Sequence, residues 1–139
     1  MTGVILSNND DLFSGFRGKK PAIMNEIVDF KRKTNINIPN EYVKFLKMFG
    51  GGEGIIGKNS YVILWSISEL PDMNMLYKVK EYAPGFFIFG SDGGGEAYAF
   101  DTRTPAMPIN SIPFVGMEPS LARMIASSFN TFLEVLYIA

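Results

Sequence analysis

The chain has 139 residues, 47% hydrophobic and 19% charged, with a net charge of −1. That suffices for one domain with one real core, and it matches neither a disordered chain nor a protein that binds nucleic acid by bulk electrostatics. It holds no Cys and no His, which removes disulfide frameworks, thiolate nucleophiles, Cys-type zinc sites and the Ser-His-Asp and Cys-His forms of catalysis.

Charge is uneven along the chain. Residues 1–80 carry eleven Lys/Arg against eight Asp/Glu, whereas residues 81–139 carry two against six. No apolar run approaches the ~18–20 residues of a membrane span, and the first residues lack the basic start of a signal peptide. A cytoplasmic protein without membrane contact is therefore expected. Residues 1–20 read as an N-terminal arm holding an apolar patch, Val4-Ile5-Leu6, with Leu12, Phe13 and Phe16 available to dock on a body formed by residues 21–139.

Pro21 suits a first helical position, and Ile23, Ile27 and Phe30, with Val28, follow at helical spacing. Lys31-Arg32-Lys33 closes that helix, where the negative end of the dipole favours cations; a solvated helix end explains it better than a phosphate patch. Pro39 restarts a helix in the same way, and Tyr42, Phe45, Leu46 and Phe49 form its apolar stripe. Gly50-Gly51-Gly52 ends it, Gly50 being suited to a left-handed cap.

Gly54-Ile55-Ile56-Gly57 and Tyr61-Val62-Ile63-Leu64-Trp65 read as strands joined by a polar turn. Trp65, the one Trp, is either core or a partner-facing hot spot. Residues 70–83 suggest a short helix or an irregular helical turn. Phe86 to Phe89, then Ser91-Asp92-Gly93-Gly94-Gly95, then Glu96-Ala97-Tyr98-Ala99-Phe100-Asp101, read as a hairpin across the sheet centre. Pro108 and Pro113 point to edge-type strands. Leu121–Ala126 is ambiguous between strand and helical turn, and Ser127 or Ser128 caps a final helix with Phe129, Phe132, Leu133 and Leu136 inward.

Three landmarks occur in order: the helix Ile38-Pro39-Asn40-Glu41-Tyr42-Val43-Lys44-Phe45-Leu46 leading to Gly50-Gly51-Gly52, the hairpin Phe89-Gly90-Ser91-Asp92-Gly93-Gly94-Gly95-Glu96, and the ending Ile125-Ala126-Ser127-Ser128-Phe129-Asn130-Thr131-Phe132-Leu133. Together, over about residues 21–137, they resemble the SUKH superfamily in its Smi/Knr-type branch. The resemblance implies an α+β domain over 21–139, with helices packed on a mostly antiparallel twisted sheet. It also implies no shared catalytic set and no cofactor. Bacterial relatives are commonly immunity proteins that bind and block a cognate toxin, in many cases a nuclease; a fungal relative looks like a scaffold for cell-wall synthesis.

The Gly-rich turn admits several chemistries. A phosphate cradle lacks the Lys and Ser/Thr of a P-loop, and its carboxylates would repel the anion. Calcium held by Asp92, Glu96 and Asp101 misses the EF-hand spacing. Asp92 with Glu96 as a glycosidase pair would need a deep sugar-binding cleft, and the single Trp offers little stacking surface. There remain a recognition rim for a basic partner surface, such as a nuclease active site, and plain turn geometry. The partner-binding expectation rests on Asp92, Glu96, Asp101, Trp65 and Glu53, with Gly90, Gly93, Gly94 and Gly95 as structural turn. No catalytic residue, metal ligand or cofactor is assigned. The alternative is a scaffold or regulatory module without a toxin partner; a metal-dependent hydrolase is disfavoured by the missing His.

Overall fold

The computed structural model describes residues 11–139; the Val4-Ile5-Leu6 patch lies outside them. Seven strands, β1 (Gly15–Gly18), β2 (Gly52–Ile56), β3 (Ser60–Leu64), β4 (Phe86–Ser91), β5 (Glu96–Asp101), β6 (Ile109–Pro113) and β7 (Arg123–Ala126), form one sheet in chain order. Every neighbouring pair is antiparallel. Five helices complete an α+β fold: α1 (Met24–Thr34), α2 (Asn40–Met48), α3 (Leu70–Leu76), α4 (Val79–Tyr82) and α5 (Phe129–Ile138). The hairpin of β4 and β5 thus sits in the middle of the sheet.

An aromatic cluster joins that hairpin to α2 and α5. Phe89 and Phe100 stack at 4.5 Å between ring centroids. Tyr42 lies 5.5, 5.1 and 5.1 Å from Phe89, Phe100 and Phe129, and Phe132 meets Phe89 edge-on at 5.6 Å. All five side chains are at most 1% exposed. Burying each ring stabilises the fold by roughly 1.5–3 kcal/mol, and each well-oriented aromatic pair adds about 0.5–1.5 kcal/mol. Phe89 reaches this cluster through a bulge: Ile88 pairs with Ala99 and Gly90 with Tyr98, leaving Phe89 between them. Glu41 Oε1 accepts the Asn130 N–H at 2.9 Å, which ties α2 to the start of α5.

Strands β3 and β4 pair only at Ile63–Ser91 and Leu64–Gly90, so the backbone of Ile88 needs other partners. Asn74 on α3 provides them. Its Nδ2 donates to Ile88 O at 2.8 Å, and its Oδ1 accepts the Ile88 N–H at 2.9 Å. One side-chain amide thereby replaces a neighbouring strand and fixes α3 beside β4.

Several local expectations are corrected, while the docking of Leu12, Phe13 and Phe16 and the Ser128 cap are as expected. Met24 starts α1 and Ile23 is its cap, with Glu26 Oε1 accepting the Ile23 N–H at 2.9 Å. Only Ile27 and Phe30 are buried in α1, while Ile23 and Val28 are exposed. The last residue before Gly50, Phe49, leaves α2 in extended conformation, and the positive φ belongs to Gly51, at 109°. Residues 15–18 form an edge strand on β2, and Leu12, Phe13 and Phe16 are buried. The prolines do not mark an edge, because β6 lies between β5 and β7. Pro108 precedes the strand and Pro113 ends it, where a missing N–H removes no interior ladder bond. The edge is β7, which follows a 3-10 turn at Pro119–Leu121. Ser128 caps α5, its Oγ accepting the Thr131 N–H at 3.2 Å.

Candidate functional site

The turn between β4 and β5 is built by the side chain of Asp92. Its Oδ1 accepts the N–H of Gly94 at 2.7 Å and of Glu96 at 3.3 Å, and the Asp92 N–H donates to Glu96 O at 3.2 Å. Ser91 Oγ accepts the Gly93 N–H at 3.0 Å. These are Asx-type and Ser-type turns, in which a short polar side chain substitutes for a backbone acceptor. Asp92 is therefore first a constituent of the turn.

The four glycines differ in what they do. Gly93 has φ of 82°, and a Cβ there would lie 2.7 Å from the Tyr61 ring, so it answers both to a left-handed backbone and to close contact. Gly90 belongs to β4, not the turn, and its Cβ would lie 2.4 Å from the Ile63 carbonyl oxygen. Gly94 and Gly95 adopt no positive φ and face no close backbone.

Asp92 and Glu96 share a shallow hollow of about 340 Å³ with Tyr98, Ser111, Arg123 and Met124. Burial pushes the Tyr98 phenol up to about 12, helped by the negative charges of Asp92 and Glu96. Arg123 lines the same hollow, and Arg17, across β1–β2 from Glu53 and close enough to act on the Tyr61 phenol, is a second cation beyond the turn. On the other side of the turn, the Tyr61 ring packs at Gly93 and its Oη donates to Glu53 Oε2. That bond holds the Tyr61 phenol above its ordinary pKa, with burial and the Glu53 charge adding to it. Glu53, Tyr61, Asp92 and Glu96 thus form one neighbourhood. Tyr61, 39% exposed, was not singled out from the sequence; its place opposite the turn follows from strand register, which no local motif reveals.

Asp101 is elsewhere. It lies at the far end of β5, five residues or about 17 Å along the strand from Glu96. It accepts from the Arg103 guanidinium at 2.9 Å through both oxygens and from the Arg103 backbone N–H at 3.0 Å. The guanidinium bond holds the Asp101 carboxyl below the usual range, against a partly opposing desolvation. Trp65 is 8% exposed within the core, its N–H backbone donor on Phe89 O at 3.1 Å. Among the described residues no three His, Cys, Asp or Glu side chains converge to hold a metal ion, and no helix is long and apolar enough to cross a membrane.

No curated protein matches the chain in sequence. Strands β2 to β7, helices α1 to α4 and most of α5, with the glycine turn after α2 and the Asp92–Glu96 hairpin, lie within residues 21–135, the span matched by a family model; β1 precedes it. On that match the chain belongs to the SMI1/KNR4 family, SUKH-1.

Proposed function

We propose that this protein is a bacterial immunity protein, acting in the cytoplasm, that binds a cognate toxin and blocks it without catalysis. The toxin is a nuclease domain. Family membership supports the immunity-type reading. The observation that carries the choice of partner is the acidic neighbourhood at the β4–β5 turn. There a hydrogen-bonded loop presents Asp92 and Glu96 on a rigid hairpin, with Glu53 and Tyr61 beside it. A nuclease active site is built to hold phosphates and is therefore rich in cations, so carboxylates fixed on a rigid loop complement it and speed encounter. Rigidity matters because ordering a loop on binding would subtract from affinity.

Of the residues in this neighbourhood, Glu96 is the clean probe, since its side chain makes none of the turn's bonds. The protein is co-expressed with a nuclease toxin domain encoded beside it, and growth and complex formation are followed. Wild type restores growth and co-purifies with the toxin. Glu96→Lys, with its fold intact by circular dichroism, weakens the complex about tenfold or more, as reversal of an interfacial charge does. A wild-type protein that neither rescues growth nor forms a complex would sink the reading, and the scaffold alternative would take its place.

A further inference from the structure

At the opposite end of the hairpin a cleft of about 670 Å³ opens between the end of α1, the α3–α4 corner and the start of β4. Its charged walls are Lys33, Lys78 and Lys80 against a single Glu81, and its apolar surface comes from Ile36, Met75 and Phe87 among others. All three lysines are exposed, and among the described residues none of them is in an ion pair. Met75 and its neighbour Leu76 are 71% and 68% exposed. They prolong the apolar surface out of the cleft over the end of α3.

The corner that forms the cleft carries strain. Lys78, between α3 and α4, has φ of 53° and ψ of 45°, a left-handed conformation that non-glycine residues seldom adopt. Glycine or asparagine would relieve it. A long cationic side chain held there keeps an ammonium at the cleft wall, while Asn74 fixes α3 against β4 below.

We infer that this cleft is a second docking site and that its occupant is an acidic segment of a partner protein carrying an apolar anchor. Three ammonium groups against one carboxylate select negative charge. Ile36, Met75 and Phe87 offer a surface for a Leu or Phe side chain, and flexible Met adapts to varied anchors. A nucleic acid fits less well, because its sugars would occupy that apolar floor and the aromatics that line the cleft, Phe86 and Phe87, are buried; Tyr82, exposed at the end of α4, is not part of the lining. The inference does not rest on the toxin reading, because the cleft lies at the other end of β4 and β5 from Asp92 and Glu96.

The test uses the full chain and a short fluorescein-labelled peptide in which Glu and Asp flank a Leu–Phe pair. Fluorescence anisotropy should show saturable binding that strengthens as salt is lowered. Lys78→Glu combined with Lys80→Glu should weaken it about tenfold, and Met75→Asp should weaken it by a similar factor. Lys58→Glu, a single charge reversal on the exposed β2–β3 turn and half the charge change of the double variant, should leave it unchanged. Because Lys78 has an unusual backbone, Lys33→Glu with Lys80→Glu repeats the test without touching it. Four outcomes overturn the inference: no saturable binding by wild type, an equal loss with Lys58→Glu, tighter binding of a single-stranded oligonucleotide at the same residues, or concentration-dependent self-association that the cleft substitutions abolish. None of them bears on toxin binding, which is read separately through Glu96.

Discussion

The two ends of β5 are closed by the same local device and carry opposite consequences. At one end Asp92 accepts the N–H of the residue two positions on, Gly94, at 2.7 Å; at the other Asp101 accepts the N–H of Arg103 at 3.0 Å. Both are Asx turns. The difference is the residue that donates. Arg103 also lays its guanidinium on Asp101 and over the Phe86 ring, 4.8 Å from its centroid, so that carboxylate is neutralised. Gly94 has no side chain, and the charges of Asp92 and Glu96 stay open to the hollow beside Tyr98. A turn motif therefore fixes where a carboxylate points, while its i+2 neighbour decides whether the charge is available to a partner.

What both ends share should be the costliest to disturb. Phe89 is fully buried between α2, α5 and Phe100. Phe89→Ala should lower stability by about 3–5 kcal/mol in denaturant unfolding, and an effect under ~1 kcal/mol would mean that the ends do not depend on a common middle. Asp92→Ala comes next. It leaves the N–H groups of Gly94 and Glu96 without their side-chain acceptor and should cost roughly 1–3 kcal/mol. Asp92→Asn, which keeps an acceptor oxygen, should cost distinctly less; equal losses would show that the charge, not the turn geometry, holds the loop.

Much of the fold was legible because the aromatic periodicity is strong. Phe129, Phe132, Leu133 and Leu136 are buried along α5, and Tyr42, Phe45 and Leu46 along α2. What the chain hid was set by long-range pairing. Pro108 and Pro113 looked like edge markers, but a proline just outside or at the end of a strand removes no interior bond, and β6 is interior. Among the candidate site residues, Asp92 and Glu96 share one hollow, whereas Asp101 is separated from them by the length of a strand and Trp65 is buried. Spacing in sequence could not distinguish these cases, because residues flanking a strand lie at its opposite ends. Lys33 and Lys78 are forty-five residues apart in the chain, and only the packing of α3 and α4 brings them to one cleft.

A smaller effect is expected at the neutralised end. The folded-state pKa of Asp101 is depressed, mainly by the Arg103 guanidinium. Its contribution is then fully present above the ordinary carboxylate value of about 3.9 and is lost as pH falls below it. Asp101→Asn should lower Tm slightly at neutral pH, and the gap from wild type should close on acidification below about pH 4. A gap that persists or widens in acid would remove the ion pair from the account.

The smallest change in stability should come from making the two ends alike. A Cβ at Gly94 would meet nothing closer than Asp92 Oδ1 at 3.4 Å, and Gly94 has no positive φ. Gly94→Arg therefore places at the turn the donor that Asp101 already has, at a stability change within about 0.5 kcal/mol. Its electrostatic effect should exceed its effect on folding. Burial dominates the raised pKa of Tyr98, with Asp92 and Glu96 contributing after it, so a guanidinium on Asp92 should move the phenol down from about 12 without returning it to its ordinary value. Titration of the Tyr98 ring carbons by NMR reads this directly. Loss of toxin binding together with that downward shift would assign recognition to the open charge. Retained binding with the same shift would leave Asp92 as a turn residue only and place recognition on Glu96, Glu53 and Tyr61.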